Sequence, residues 1–169
     1  MEQNVTVAAV TAISAARIGP RPTTSRVLPH RQLDQLPTSV LMDELVARSL
    51  EIPLVQSKES RMASPGTCAL WLADESAAGP AEAFIDAHEF CHIHPLPEGG
   101  IHLTLPDPFR QGIIRLGWGE PHPVSLSGIL PALVAVYLPR DRHELEIVLH
   151  LILRSCQFAQ GRLSAPETR

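Results

Sequence analysis

The stretch FCHIHPLPEGGIHL, residues 90–103, constrains the fold more than any other part of the sequence. Apolar and polar residues alternate in both halves, and a loop rich in proline and glycine joins them. Successive side chains of a β-strand leave opposite faces of a sheet, so His92 and His94 share one face. His102 alternates with apolar residues in the same way. We therefore predict a β-hairpin with three histidines on one face and the apolar core on the other.

The register of this hairpin decides which of its histidines meet. We expect His94 to lie opposite His102, which would place their β-carbons within about 5 Å of each other. The length of the loop, which contains Glu98, does not fix this register. At such a distance two imidazoles can share a metal ion, a water molecule or a substrate.

Three interpretations of these histidines are open. Imidazoles on adjacent strands can hold a metal ion, with His92, His94 and His102 as ligands. In a metal-free pocket the same side chains would donate hydrogen bonds or act as general bases near neutral pH. In the third interpretation the histidines only cover a solvent-facing sheet surface. We expect the metal-free pocket, because the glycine-rich second half of a cupin-type metal pattern is missing.

The composition is that of one domain of ordinary size without a nucleic-acid-binding surface. Its 169 residues are 44% apolar, which is enough for a single core. The formal net charge is −4 and lysine occurs once, so no basic cluster is present to bind phosphates. Three distant cysteines are typical of free thiols in a reducing compartment, and we expect a cytoplasmic location. The apolar run at residues 5–16 fits neither a signal peptide nor a membrane span.

Sixteen prolines and ten glycines divide the chain into short elements, which argues against a helical bundle. We predict the α+β class, with a mainly antiparallel sheet packed against two or three helices. The compact domain should span residues 18–162, with an N-terminal arm at residues 1–17 and a flexible tail at residues 163–169.

Local patterns predict the main elements of this domain. A helix is expected at residues 38–50, capped by Thr38 or Ser39, and strands at residues 67–72 and 133–138. Residues 83–94 should contain one or two strands. Asp107 followed by proline predicts the cap of a short helix, which Gly117 ends. Asp141 and Glu144 form an acidic capping box at the start of the last helix.

Two further segments carry polar side chains in rigid surroundings. Glycines flank Trp118 and prolines flank His122, so the loop that holds Trp118, Glu120 and His122 has a fixed backbone direction. Alternatively, Trp118 fills the core and Glu120 is solvated. In the second segment, which begins at Tyr137, Arg140 can hold an anionic oxygen, or it can pair with a surface acid where the last helix begins.

These motifs together resemble the fungal-luciferase domain family over residues 18–160. The ordered set is more specific than any single motif, and the family also contains many small bacterial proteins. The set consists of GPRPTT (19–24), PHRQLDQ (29–35), PG (65–66), FxHxHP (90–95), GxHL (100–103), GWGExHP (117–123), YxPRD (137–141) and ELE (144–146).

The resemblance implies a chemistry and a set of positions. The fungal enzymes oxidise a hydroxylated styryl-pyrone with molecular oxygen and need no flavin or nicotinamide. The positions implied here are His92, His94, His102, Trp118, Glu120, His122, Tyr137, Arg140 and Asp141. The chain departs from the family at Cys91 and at the turn of residues 98–100, and it shows no counterpart of the fungal membrane anchor. We therefore expect no light emission and no membrane partner.

The function expected on these grounds is that of an enzyme acting on a small molecule. It would oxygenate an electron-rich enol, pyrone or polyketide-like substrate of specialised metabolism, with molecular oxygen as co-substrate and no other cofactor. His92, His94 or His102 would be the base, and Arg140 would stabilise the anion. Trp118, Glu120, His122, Tyr137 and Asp141 would contact the substrate. A non-oxidative cyclase or isomerase, or a non-catalytic binding protein, is the alternative.

Overall fold

A six-stranded antiparallel sheet and four α-helices form the part of the chain that the computed structural model describes, residues 13–163. The helices are α1 (Ser39–Leu50), α2 (Phe109–Arg115), α3 (Pro123–Leu126) and α4 (Arg142–Ala159). The strands are β1 (Val55–Lys58), β2 (Cys68–Leu72), β3 (Glu89–His94), β4 (Gly100–Thr104), β5 (Gly119–Pro121) and β6 (Leu133–Val136). The predicted α+β class is confirmed.

The sheet has the strand order β1-β2-β3-β4-β6-β5, and all five strand pairs are antiparallel. The first four strands follow one another along the chain, while α2, β5 and α3 lie between β4 and β6. Residues 83–94 contain one strand, β3, after two short 3-10 helices at Asp74–Ser76 and Ala81–Ala83. The predicted arm and tail fall largely on residues 1–12 and 164–169, outside the described residues.

Helices α1 and α4 pack together on one face of the sheet and cover the apolar core. The Thr38 side chain caps α1 by accepting a hydrogen bond from the Leu41 backbone N–H, as predicted. Leu45 of α1 and Leu145 and Ile152 of α4 are fully buried in this core. Within residues 13–163, no helix is both long enough and apolar enough to cross a membrane.

The histidine hairpin forms with the predicted faces but with a different register. Cys91 and Ile93 point into the core, and the three histidines lie on the other face. His102, however, lies opposite His92, and His94 lies opposite Gly100. The prediction that His94 faces His102 is wrong. Gly99 and Gly100 both adopt positive φ angles, which residues with side chains disfavour. With these angles the loop closes at the pair His94–Gly100, two residues earlier on β4 than expected.

Of the two predicted aspartate caps, one is wrong and the other is confirmed. Asp107 does not cap α2, since Pro108 is the cap residue and the Asp107 carboxylate accepts hydrogen bonds from the Arg110 and Gln111 side chains. Asp141 caps α4 as predicted, accepting from the Glu144 N–H at 2.9 Å.

The reciprocal half of the α4 capping box is wrong. The Glu144 carboxylate accepts from the Arg140 backbone N–H and guanidinium rather than from Asp141, and it lies 3.4 Å from the Arg17 guanidinium. A buried carboxylate needs charged partners, and two arginines provide them better than one backbone N–H.

Candidate functional site

The sheet register places one residue from each of five strands side by side. Ala69, His92, His102, Ala135 and Glu120 form a row across β2, β3, β4, β6 and β5. Residues directly opposite each other in antiparallel strands point to the same face of the sheet. The two imidazoles therefore stand between alanines, whose small side chains leave space above the sheet.

Three buried histidines form the centre of this face. His92, His94 and His102 are 4%, 7% and 4% exposed, and we call them the histidine cluster. His102 Nδ1 lies 3.0 Å from His92 Nε2 and 3.3 Å from His94 Nε2. One nitrogen from each of the three rings therefore converges on a single point. The interpretation as solvent-facing decoration does not fit this burial.

The other nitrogen of each ring contacts a polar group outside the cluster. His92 Nδ1 lies 2.6 Å from Glu89 Oε1, and His94 Nδ1 lies 3.2 Å from Thr67 Oγ1. His102 Nε2 lies 3.1 Å from His30 Nδ1. These contacts fix the orientation of all three rings.

Glu89 reaches His92 because of a β-bulge. Strict alternation would put Glu89 on the core face with Cys91 and Ile93, away from His92. In the structure Leu70 pairs with Cys91 but Trp71 pairs with Glu89, so Phe90 is an extra residue on β3. The bulge turns the fully buried Glu89 side chain to the histidine face. Sequence alternation could not reveal this contact.

His30 connects the histidine cluster to the far edge of the sheet. Its Nε2 lies 2.7 Å from Glu120 Oε1, and the same carboxylate accepts hydrogen bonds from the Thr24 and Tyr137 hydroxyls. Burial by itself would raise the pKa of Glu120, but the hydrogen bonds from His30, Thr24 and Tyr137 lower it to about 2. Glu120 is therefore a half-buried carboxylate held by three side chains, and not a fully solvated one.

Burial lowers the pKa of three histidines at the site, His94, His102 and His122. Desolvation, with the neighbouring His92 as a further cause, lowers the pKa of His94 to about 4 and that of His102 well below the usual value for histidine. Desolvation likewise lowers the pKa of His122 to about 4. At neutral pH each of these rings therefore offers one N–H and one lone pair.

His122 stands beside the cluster at the start of α3. Its Nδ1 accepts a hydrogen bond from the Val124 N–H at 3.2 Å, and its ring centre lies 4.4 Å from that of His102. With Nδ1 acting as an acceptor, the hydrogen of neutral His122 is on Nε2. His122 is thus a hydrogen-bond donor at the site.

A cavity of about 500 Å³ opens above the histidine face. Five histidines contribute to its wall: His30, His92, His94, His102 and His122. Apolar side chains form much of the remainder, namely Leu28, Pro29, Met62, Ala63, Ile85, Val124, Leu130 and Leu133. Arg31, Arg61, Ser64 and Glu98 complete it. The cavity therefore has apolar walls around a polar centre.

Several residues predicted for the site lie elsewhere. Trp118 is 2% exposed in the core and donates from Nε1 to the Ala15 carbonyl, as the alternative interpretation proposed. Arg140 is bound to Glu144, and Asp141 caps α4, so neither lines the cavity. Tyr137 acts on the site only through its hydrogen bond to Glu120.

Two groups of histidines could each hold a metal ion. One is the histidine cluster, and the other combines His30, His102 and His122. Both groups contain His102, whose ring can offer one of its two nitrogens to each group. Thiol ligation is not available in the cluster, because Cys91 points to the opposite face, into the core.

Comparisons with known proteins find similar sequences whose matched residues include this site. Residues 87–155, which contain the whole cluster, match the family described as the luciferase domain. A luciferase of Armillaria ostoyae is 26% identical over 160 residues, covering 84% of this chain and 59% of the relative. Luciferases of Armillaria gallica and Armillaria mellea are 25% identical with the same coverage.

The chain thus spans about three fifths of the length of these curated relatives. No solved structure matches. The family match covers β3, β4, β5, β6 and most of α4, and with them the histidine cluster. These findings confirm the predicted resemblance to the luciferase domain family.

Proposed function

We propose that this protein is an enzyme that oxygenates a small, electron-rich enol, pyrone or polyketide-like molecule in the cavity above the histidine cluster. The observation that carries the proposal is the convergence of three buried imidazoles on the wall of a cavity of about 500 Å³. A cavity of this size and lining is typical of small-molecule sites.

The cavity lining favours a flat, acidic substrate. Apolar side chains such as Leu28 and Ile85 can cover a conjugated ring system, while the same cavity holds the guanidinium groups of Arg31 and Arg61, which pair with Glu98 and Asp86. An enolic or phenolic hydroxyl would then bind at the cluster. Its ionisation there, with a histidine of the cluster accepting the proton, gives the electron-rich anion that can react with molecular oxygen without an organic redox cofactor.

Groups that line the cavity can stabilise that anion. The Nε2–H of His122 can donate to the anionic oxygen, and Arg31 can balance its charge. Arg140, which we expected to do this from the sequence, is engaged by Glu144 instead. Light emission is not part of the proposal, because proteins of one fold can bind different substrates.

The test is oxygen consumption by the purified chain with a panel of hydroxypyrones and polyphenols. We expect one panel member to be oxidised with incorporation of oxygen from ¹⁸O₂, detected by mass spectrometry. Product formation that is identical under strict anaerobiosis would contradict oxygenation and select a cyclase or isomerase. A ligand that binds tightly and is recovered unchanged would select a binding protein.

A further inference from the structure

His30 joins Glu120 to the histidine cluster, and its contacts indicate which ring nitrogens carry hydrogens in this network. The Glu120 carboxylate accepts hydrogen bonds from the Thr24 and Tyr137 hydroxyls, so in its 2.7 Å contact with His30 the donor is His30 Nε2. With that hydrogen on Nε2, His30 Nδ1 is an acceptor, and it faces His102 Nε2 at 3.1 Å. His102 must donate from Nε2 in this contact. Its other nitrogen, Nδ1, therefore carries a lone pair.

The contacts at the near end lead to the same conclusion for His92. Glu89 Oε1 accepts a hydrogen bond from the Ser60 hydroxyl and lies 2.6 Å from His92 Nδ1. As a carboxylate, Glu89 requires the hydrogen of His92 to be on Nδ1, so His92 Nε2 also carries a lone pair. The Thr67 hydroxyl can donate to or accept from His94 Nδ1, and when it accepts, His94 Nε2 also carries a lone pair.

Three imidazole nitrogens, each able to present a lone pair, thus converge at separations of 3.0 and 3.3 Å. When all three present a lone pair, the arrangement is repulsive unless a cation lies between the nitrogens. A single extra proton can bridge two of them but not all three. We propose that His92, His94 and His102 bind a divalent transition metal ion.

The distances and charges of the site fit this proposal. Zinc–imidazole bonds of about 2.0–2.1 Å in a tetrahedral site separate the ligand nitrogens by about 3.3 Å. Glu89, Thr67 and His30 engage the outer nitrogens, as partners of metal-binding histidines commonly do. The carboxylates of Glu89 and Glu120, one at each end of the network, balance the two positive charges of the ion.

The ligand set indicates the kind of ion and its use. Three imidazoles without a thiolate suit zinc, iron, copper or nickel rather than magnesium or calcium. Three protein ligands leave a coordination position free, and all three histidines line the cavity. On the proposed function, that position would take the oxygen of the ionised, enolate form of the substrate. This departs from the metal-free pocket expected from the sequence, which could not show the converging nitrogens.

The test uses untagged protein of residues 1–169, stripped with a chelator and titrated with Co²⁺. We expect one equivalent to bind, followed by calorimetry and by the visible absorption bands of Co²⁺ coordinated by nitrogen. His94→Gln and His92→Gln should each weaken binding at least about 100-fold, and Glu89→Gln about 10- to 100-fold. Circular dichroism checks that each variant is folded. If a histidine variant does not fold, Thr67→Val, which removes the hydroxyl beside His94 Nδ1, tests the same site in its place.

Two control variants separate the proposal from its alternatives. His143→Gln changes an exposed histidine on α4, and His122→Asn keeps an acceptor for the Val124 N–H. Both should bind Co²⁺ like the unchanged protein. Loss of binding in His122→Asn but not in His94→Gln would overturn the proposal in favour of the group of His30, His102 and His122. Absence of binding by the folded protein would overturn it outright, while oxygen uptake that survives chelation would leave the proposed function standing.

Discussion

His92 on β3 and His102 on β4 lie directly opposite each other, with 3.0 Å between His92 Nε2 and His102 Nδ1. Ala69 and Ala135 flank this pair on the neighbouring strands. The geometry of the site is therefore set by the register of the central sheet, not by a mobile loop. Sites built on strands hold their side chains more rigidly than sites built on loops.

The space that Ala135 leaves should be necessary for the network. Ala135→Leu would push a larger side chain between His102 and Glu120, which lie on either side of it. We expect the free energy of unfolding to fall by about 1–3 kcal/mol, as for other overpacked sites, and turnover to fall with it. Urea denaturation measures the first effect. Ala47→Leu, on the exposed side of α1, is the matched control and should change stability little.

Tyr137 should position Glu120 without touching the substrate. Tyr137→Phe removes one hydrogen bond, 3.0 Å long, to a half-buried carboxylate that keeps its contacts with His30 and Thr24. We expect a loss of about 1 kcal/mol in the free energy of unfolding and little change in KM. A large rise in KM with unchanged stability would show instead that Tyr137 binds the substrate.

The buried ion pairs at the start of α4 should make stability depend on pH. Burial raises the pKa of Glu144, but hydrogen bonds from Arg140 and the charge of Arg17 outweigh it and lower the pKa below its usual value. Glu144 therefore stabilises the fold above the pKa of the unfolded chain, about 4.5. This stabilisation is lost as the pH falls through the lower pKa of the folded state.

Glu144→Gln tests this pH dependence. Removal of one partner from a buried pair costs on the order of 3 kcal/mol, because the Arg17 guanidinium stays buried. We expect that difference from the unchanged protein at pH 7, and we expect it to shrink below about pH 4.5. Glu146→Gln, in an exposed pair with Arg48, is the control and should have a much smaller effect. Equal losses in both variants at pH 7 would contradict the account.

Periodicity was sufficient to predict the faces of the sheet. Apolar alternation placed Cys91 and Ile93 in the core and the histidines opposite, because a strand must bury one face and does so with period two. The caps Thr38 and Asp141 were predictable for a similar reason, since each acts on backbone groups within three residues of itself.

Contacts that depend on distant chain segments were not predictable in this way. Glu89 joins His92 only because a bulge at Phe90 breaks the alternation, and nothing in the local sequence marks that bulge. His30 reaches His102 across 72 positions of sequence. Trp118 had two local interpretations, and its hydrogen bond to the Ala15 carbonyl, 103 positions away in the sequence, decides between them.

The most direct test of the central claim is turnover by the double variant His92→Gln with His94→Gln, measured as oxygen uptake with the substrate that the unchanged protein oxidises. If the chemistry takes place at the histidine cluster, the rate should fall by at least about 100-fold in a variant that is still folded, while His143→Gln keeps the full rate. A folded double variant that consumes oxygen as fast as the unchanged protein would contradict the account.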